Sequence, residues 1–308
     1  MKLSLTLSAL NLISSEPQTA LDAVPCDTFT HFDLSLNYFF KNGSDDYLRD
    51  SMADALAETA QRRKFEFVTS HAPYRYNACQ SEESFEKQVE EIKAALKLCA
   101  RFGIDRTTVH AGYGFSADRA DMMQKNARYF RSLLPTAEAC GVILMIENIS
   151  EPIYNRPFVI ETAENILELR RILGDHPLIG ACWDTGHANM IALDQYENII
   201  NLRGILKGVH LQDNNGDRDD HMPPLMGNIN FNDVVKGLID IGYDGAFNLE
   251  THLLRPGKER PDYCCPFNGT AKVQPRLFAS DADLVRYGVG VTYHLGRYIM
   301  AKHGLPIE

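Results

Sequence analysis

Six short apolar runs each deliver a metal-ligand or acid/base side chain at or just past their C-terminal end. They read FVTSH, RTTVH, VILMIE, LIGACWD, ILKGVH and AFNLE, and they end in His71, His110, Glu147, Asp184, His210 and Glu250. His187 follows three positions after Asp184 in WDTGH, and Asp219 and His221 stand in the polar stretch after ILKGVH. A strand that presents a ligand at its C-terminal end, repeated in order along one chain, predicts an α/β fold of the (β/α)8 TIM-barrel type. The top face of such a barrel would carry a metal site.

The spacing agrees. Candidate strands begin near Lys2, Thr30, Phe65, Arg106, Val142, Leu178, Leu206 and Ala246. They recur every 30 to 40 residues or so, roughly one strand-plus-helix unit. Amphipathic helical patterns lie between them. SFEKQVEEIKAALKLCARFG has Ser81 or Ser84 as cap and Gly103 as its end. ETAENILELRRILGD starts near Thr162 and ends at Gly174, and NFNDVVKGLIDIGYDG starts at Asn230 or Asn232. RADMMQKNARYFRSLLPTAEACG contains Pro135, which predicts a kink or break there. Strands alternating with helices imply parallel pairing and right-handed crossovers. The segment SALNLISSEP after the first strand lacks the Gly-rich phosphate turn of an open dinucleotide-binding sheet, which favours closure into a barrel.

A chain of 308 residues fits one barrel domain spanning 1–308 with extended loops at 214–229 and 253–279. Both loops fall on the catalytic face, where long loops shape pockets. The net charge of −10 disfavours phosphate-backbone binding and so nucleic acid as a partner. Seven cysteines without a CxxC pattern indicate a reducing compartment, with Cys99, Cys140 and Cys182 as small buried hydrophobes and Cys264-Cys265 as ordinary loop thiols. No run reaches the length of a membrane span, and MKLSLTLSALNLI reads as a first strand rather than a signal peptide, so a cytoplasmic location is expected.

Each site residue has a bland reading beside the functional one. Glu147 or Glu250 alone could be a structural ion-pair partner. Asp184 alone could cap a helix. His210 alone could be a hydrogen-bonded core residue. Together, two Glu, one Asp and one His at strand ends form an oxygen-rich set suited to Mn, Mg, Co or Zn as a divalent ion. His71, His110, Asp219 and His221 either add ligands for further ions or contact substrate oxygens, and an ordinary solvent-facing acid in an Asp-rich loop is the plainer reading of Asp219.

SHAPY, VHAGYG, IEN, WDTGH, VHLQDN, DDHMPP…GNINF and NLE, in this order, resemble the xylose-isomerase-like barrel superfamily. That group holds sugar-phosphate isomerases, ketose 3-epimerases, inosose isomerases and dehydratases, and the related apurinic-site endonucleases. The resemblance to the epimerase branch implies one divalent ion on Glu147, Asp184, His210 and Glu250, with the two Glu as the catalytic acid/base pair and His187 and Arg218 on substrate oxygens. The endonuclease branch instead implies three zinc ions on all nine residues. One departure stands out. The usual Pro-Gly-x-Gly turn is Pro224-Leu225-Met226-Gly227 here. The expectation is a metal-dependent isomerase or epimerase of a ketose or ketose phosphate, a small-molecule sugar enzyme that can form a homo-oligomer. A zinc-dependent apurinic-site endonuclease is the alternative, and a barrel that binds a sugar or metal without turnover is a third reading.

Overall fold

The computed structural model describes residues 1–10, 14, 16–40, 50–114, 118–150, 160–251 and 282–306. The predicted loop at 253–279, with Cys264 and Cys265, lies outside the described residues. Eight parallel strands close into a barrel in sequence order. They are β1 (Lys2–Thr6), β2 (His31–Ser35), β3 (Glu66–His71), β4 (Arg106–Val109), β5 (Ile143–Glu147), β6 (Ile179–Asp184), β7 (Leu206–Leu211) and β8 (Ala246–Leu249). Each start lies within one residue of its predicted position.

The helices wrap the outside. α1 (Pro17–Asp22), α2 (Asp50–Arg63), α3 (Glu82–Arg101) and α4 (Arg119–Cys140) serve the first half. α5 (Ala163–Ile172), α6 (Thr185–Asn189), α7 (Gln195–Asn201), α8 (Phe231–Asp240) and α9 (Ala282–Lys302) serve the second. The caps follow the sequence chemistry. Ser81 accepts from Ser84 N at α3, Asn230 caps α8, and Thr162 forms a capping box with Asn165 at α5. Gly103 and Gly174 take the left-handed turn that ends a helix, with φ of 70° and 73°. The predicted break at Pro135 does not occur: α4 runs through it. Proline removes one N–H, but Phe130, Leu133 and Ala137 stay buried against the barrel on both sides of it, and that packing holds the helix together. Gly296 in α9 sits where a Cβ would come within 2.8 Å of Leu3 and Leu249, so this helix closes tightly over β1 and β8. Among the described residues, no helix is long and apolar enough to cross a membrane. Cys99 and Cys182 are buried as expected, and Cys140 is half-buried.

Strand register sets the height of the site. Between β2 and β3 the pairing shifts by one residue after Phe32↔Phe67, and Ser35 then stands opposite His71. Between β6 and β7 it shifts after Ala181↔Leu206, and Asp184 then stands opposite His210. Without the second shift Asp184 would face Val209. A one-residue slip sends a side chain to the other face of a sheet, so these two irregularities place both histidines at the inner rim.

The stretch 214–229 is an ordered turn. Asp213 and Met222 exchange backbone hydrogen bonds of 2.8 and 2.9 Å. The Asp213 carboxylate accepts from the backbone of Asn214, Gly227 and Ile229 at 2.9 to 3.1 Å. Gly227 is required, because a Cβ there would lie 2.4 Å from the Asn214 carbonyl. Leu225, where the resembling turn has glycine, keeps the left-handed backbone with φ of 74° and is half exposed. A branched residue in that region costs about 1–2 kcal/mol, against about 0.4–1 kcal/mol of extra unfolded-state entropy for glycine. Leu225→Gly is therefore expected to raise stability by roughly 0.5–1 kcal/mol. Chemical denaturation tests this, and a fall in stability would show that contacts of the Leu225 side chain outweigh its backbone strain.

Candidate metal centre

All six strand-end ligands converge on the mouth of the barrel. His71 closes β3, Glu147 closes β5 and Asp184 closes β6. His210 lies one residue before the end of β7, and His110 and Glu250 follow β4 and β8 directly. His210 Nδ1 lies 2.5 Å from Glu147 Oε1 and 3.1 Å from Glu250 Oε2. One ligand atom from each of Glu147, Asp184, His210 and Glu250 falls within 4.8 Å of the others. Other groups meet the same limit, among them His71 with His110 and Glu147, and His187 with Asp219 and His221; Cys182 also lies within it of Glu147 and His210. Glu147 belongs to both of the first two groups. Its Oε2 is 2.8 Å from His110 Nε2 and 3.6 Å from His71 Nε2, and the two imidazole nitrogens are 3.0 Å apart.

The third group is held from the loop after β7. His221 Nε2 is 2.9 Å from Asp219 Oδ2, and its Nδ1 is 3.0 Å from the Glu250 carbonyl. His187 Nε2 is 3.7 Å from Asp219 Oδ2. His221 has a positive φ of 49°, a strained turn that aims its ring inward instead of along the loop. Asp219 is thus no ordinary surface acid. Arg218 is the one predicted contact residue that does not join these groups. It is exposed, with its Nε 3.9 Å from Asp220.

Asp184 fulfils its bland and its functional reading at once. It caps α6, with Oδ1 accepting from His187 N at 2.7 Å. Its other oxygen, Oδ2, is buried without a hydrogen-bond partner. Three carboxylates lie together at the mouth. Among the described residues, their ion pairs come from histidine rings alone. Burial pushes the Asp184 carboxyl up to about 7, His187 opposes that rise, and the charges of Glu250 and Glu147 add to it. Burial would also raise Glu147, but His210 and His110 hold it well below the usual carboxylate range. His210 and His221 do the same for Glu250. An orphaned carboxylate oxygen amid buried acids is what a divalent cation would neutralise, so the residues present fit such an ion.

A supporting layer escaped the sequence reading. Asn148 receives Asp184 N at 2.7 Å and donates to the Asp184 carbonyl at 3.0 Å, while its own carbonyl lies 2.8 Å from His187 Nδ1. Gln212 Nε2 donates to Asp219 Oδ1 at 2.6 Å and reaches Asp184 Oδ1 at 3.4 Å. Such partners orient the ligands they touch. The signal was present in IEN and LQDN, where an amide follows each ligand by one or two positions. Deeper still, Asp33 is fully buried and accepts from Thr69 Oγ1 at 2.8 Å, and Asn248 joins Ser4 to Thr6. Only a closed register brings these together.

The family model of the xylose isomerase-like TIM barrel matches residues 27–263. An uncharacterised protein of Methanocaldococcus jannaschii is 31% identical over 217 residues, covering 68% of this chain and 72% of that protein. A probable endonuclease 4 of Thermotoga neapolitana is 23% identical over 210 residues, covering 62% of this chain and 71% of that protein. Among solved structures, a D-tagatose 3-epimerase-like protein matches with a TM-score of 0.68 and 26% identity, over 83% of this chain and 92% of that one. The chain belongs to the xylose isomerase-like TIM barrel family.

Proposed function

We propose that this chain is a metal-dependent isomerase or epimerase of a ketose or ketose phosphate that works through an enediolate. The observation that carries this reading is the quartet of Glu147, Asp184, His210 and Glu250, whose ligand atoms lie within 4.8 Å of one another. In this proposal the quartet holds one divalent ion, Mn, Mg, Co or Zn, and Glu147 and Glu250 are the acid/base pair. The chemistry such an ion supplies is stabilisation of negative charge on the substrate oxygens.

The protein's own residues do the rest. β5 and β8 stand three strands apart in the closed ring, so their two carboxylates approach a substrate from different sides. Both are held ionised by neighbouring imidazoles, so each is deprotonated before a substrate arrives. One takes the proton from the carbon beside the carbonyl, and the other delivers a proton to the opposite face. His187, fixed by the Asn148 carbonyl, presents a ring to substrate oxygens, as does His71 or His110 on the opposite rim. The fit to a D-tagatose 3-epimerase-like structure supports sugar chemistry.

A second reading has its own observation. The groups around His71 and around His187 would complete a three-ion site, and a probable endonuclease 4 is among the relatives. The net charge of −10 opposes it, since a DNA-binding face is basic.

Glu147→Gln and Glu250→Gln, each with its metal content verified, are expected to lose α-proton exchange of ketoses in D₂O by about 10²- to 10⁴-fold. A metal-loaded variant exchanging at the parent rate would reduce that Glu to a ligand. Chelation should abolish exchange and lower the melting temperature, and elemental analysis of the reloaded protein should find one tightly held ion per chain. Duplex DNA carrying an abasic site should remain intact with zinc added. Zinc-dependent incision that disappears in His71→Ala or His110→Ala would transfer the function to the second reading.

A further inference from the structure

The ring of His210 rests on a buried floor inside the barrel. The void beneath it has Thr69, Met145, Cys182, Gly208 and Asn248 among its walls. Two of the polar walls are already committed. Thr69 donates to Asp33 Oδ2 at 2.8 Å, and Asn248 accepts from Ser4 Oγ and donates to Thr6 Oγ1, both at 3.0 Å. Thr108 on β4 and Cys182 on β6 are turned to the ring instead, and both are fully buried. Thr108 Oγ1 lies 3.4 Å from His210 Nε2. The Cys182 thiol hydrogen-bonds to His210 and to Thr108. Gly208, opposite Cys182 on β7, keeps the floor open, since a Cβ there would lie 2.7 Å from Met145 Sδ and 3.5 Å from Cys182 Sγ.

The two ring nitrogens therefore face opposite chemistry. Nδ1 looks out at Glu147 Oε1, 2.5 Å away, and at Glu250 Oε2, 3.1 Å away. Nε2 looks inward at the Thr108 hydroxyl, to which the Cys182 thiol is bonded. A cation binds a ring nitrogen through a lone pair, so a neutral ring that ligates through Nδ1 must carry its proton on Nε2. A buried N–H needs an acceptor. A hydroxyl and a thiol are small, neutral and able to accept, and they add no fourth acid to the three at the mouth.

We infer that Thr108 and Cys182 are positioning residues that hold the ring proton of His210 on Nε2, so that Nδ1 offers its lone pair to a divalent ion. The inference rests on the metal part of the reading above and is independent of the substrate. Neither side chain belongs to the quartet of Glu147, Asp184, His210 and Glu250. They act through the orientation and the tautomer of one ring, and loss of such a partner costs about 10- to 100-fold in metal affinity.

The test uses the full-length chain with zinc and cobalt as probes. Long-range proton–nitrogen correlation spectra of the zinc-loaded protein, labelled at the histidine nitrogens, show which nitrogen of each ring bears hydrogen. The His210 signals are those lost in His210→Gln, and the proton is expected on Nε2. In cobalt titrations Thr108→Val and Cys182→Ala should each weaken binding about tenfold, and the double variant by up to about 100-fold. Thr108→Ser, which keeps the hydroxyl, should bind as the parent does. Circular dichroism checks that the variants fold, and the spectrum of the parent decides the tautomer even where a variant does not. An unprotonated Nε2 in the zinc protein, parent affinity in the double variant, or Thr108→Ser as weak as Thr108→Val would overturn the inference and leave the metal reading standing. A parent chain that takes up neither ion would overturn both. No sugar enters either measurement, so loss of the isomerase reading and loss of this inference are read separately.

Discussion

Three carboxylates buried at one mouth cannot stay ionised without positive charge close by, and the rest of the molecule is arranged around that constraint. Glu147 and Asp184 end, and Glu250 directly follows, three strands whose residues before them are almost wholly apolar. Glu147 and Asp184 are buried and Glu250 nearly so, and a buried charge must be met by a neighbour. Imidazoles meet Glu147 and Glu250, and the N-terminus of α6 meets one oxygen of Asp184. Among the described residues, nothing donates a hydrogen bond to the remaining oxygen of Asp184. That deficit links the fold to its chemistry, because the strand ends that bury the acids also bring their oxygens within 4.8 Å of one another.

Bringing them to one height is a matter of register. A regular barrel would alternate its inward and outward residues without regard to the site. Here the pairing slips by one residue on β3 and again on β7, each time on a strand with a site histidine at its end or next to it. The slip costs local ladder regularity and returns His71 and His210 to the inner rim. Asn148 and Gln212 then fix what the register has delivered, each binding through side-chain amides that were one or two positions past a ligand.

The legible part of this molecule is periodic or local. Strand starts, helix caps and strand-end ligands follow from alternation and from single-residue chemistry, and the structure keeps them within a residue. At Pro135 the helix does not break, because the local rule against proline is outweighed by tertiary burial of Phe130, Leu133 and Ala137. The register slips left no trace in composition, since an extra residue within β7 looks like any other strand residue. The inner polar bonds were invisible for the same reason: Asp33 and Thr69 pair through the shifted register of β2 and β3, and Asn248 on β8 meets Ser4 and Thr6 on β1 only because the barrel closes. The left-handed backbone at Leu225 shows the converse. The turn is dictated by Asp213 and Gly227, so it persists although the residue that suits it is gone.

Glu147 is where the two functional readings compete for the same atoms. Its Oε1 faces His210 and its Oε2 faces His110 and His71. A carboxylate that bridges two cations loses the basicity it needs to take a proton from carbon. A base at Glu147 therefore requires the His71–His110 side of the mouth to hold something other than a second ion. The structure sets that side apart chemically. It opens past Tyr74 into a tyrosine-lined alcove, whereas the side of His187 and His221 opens onto the acid-rich loop after β7. In the proposed reaction, a sugar lying across the mouth with its reacting carbons at Glu147 and Glu250 would occupy the space a second cation needs and would leave the Glu147 carboxylate to act as a base.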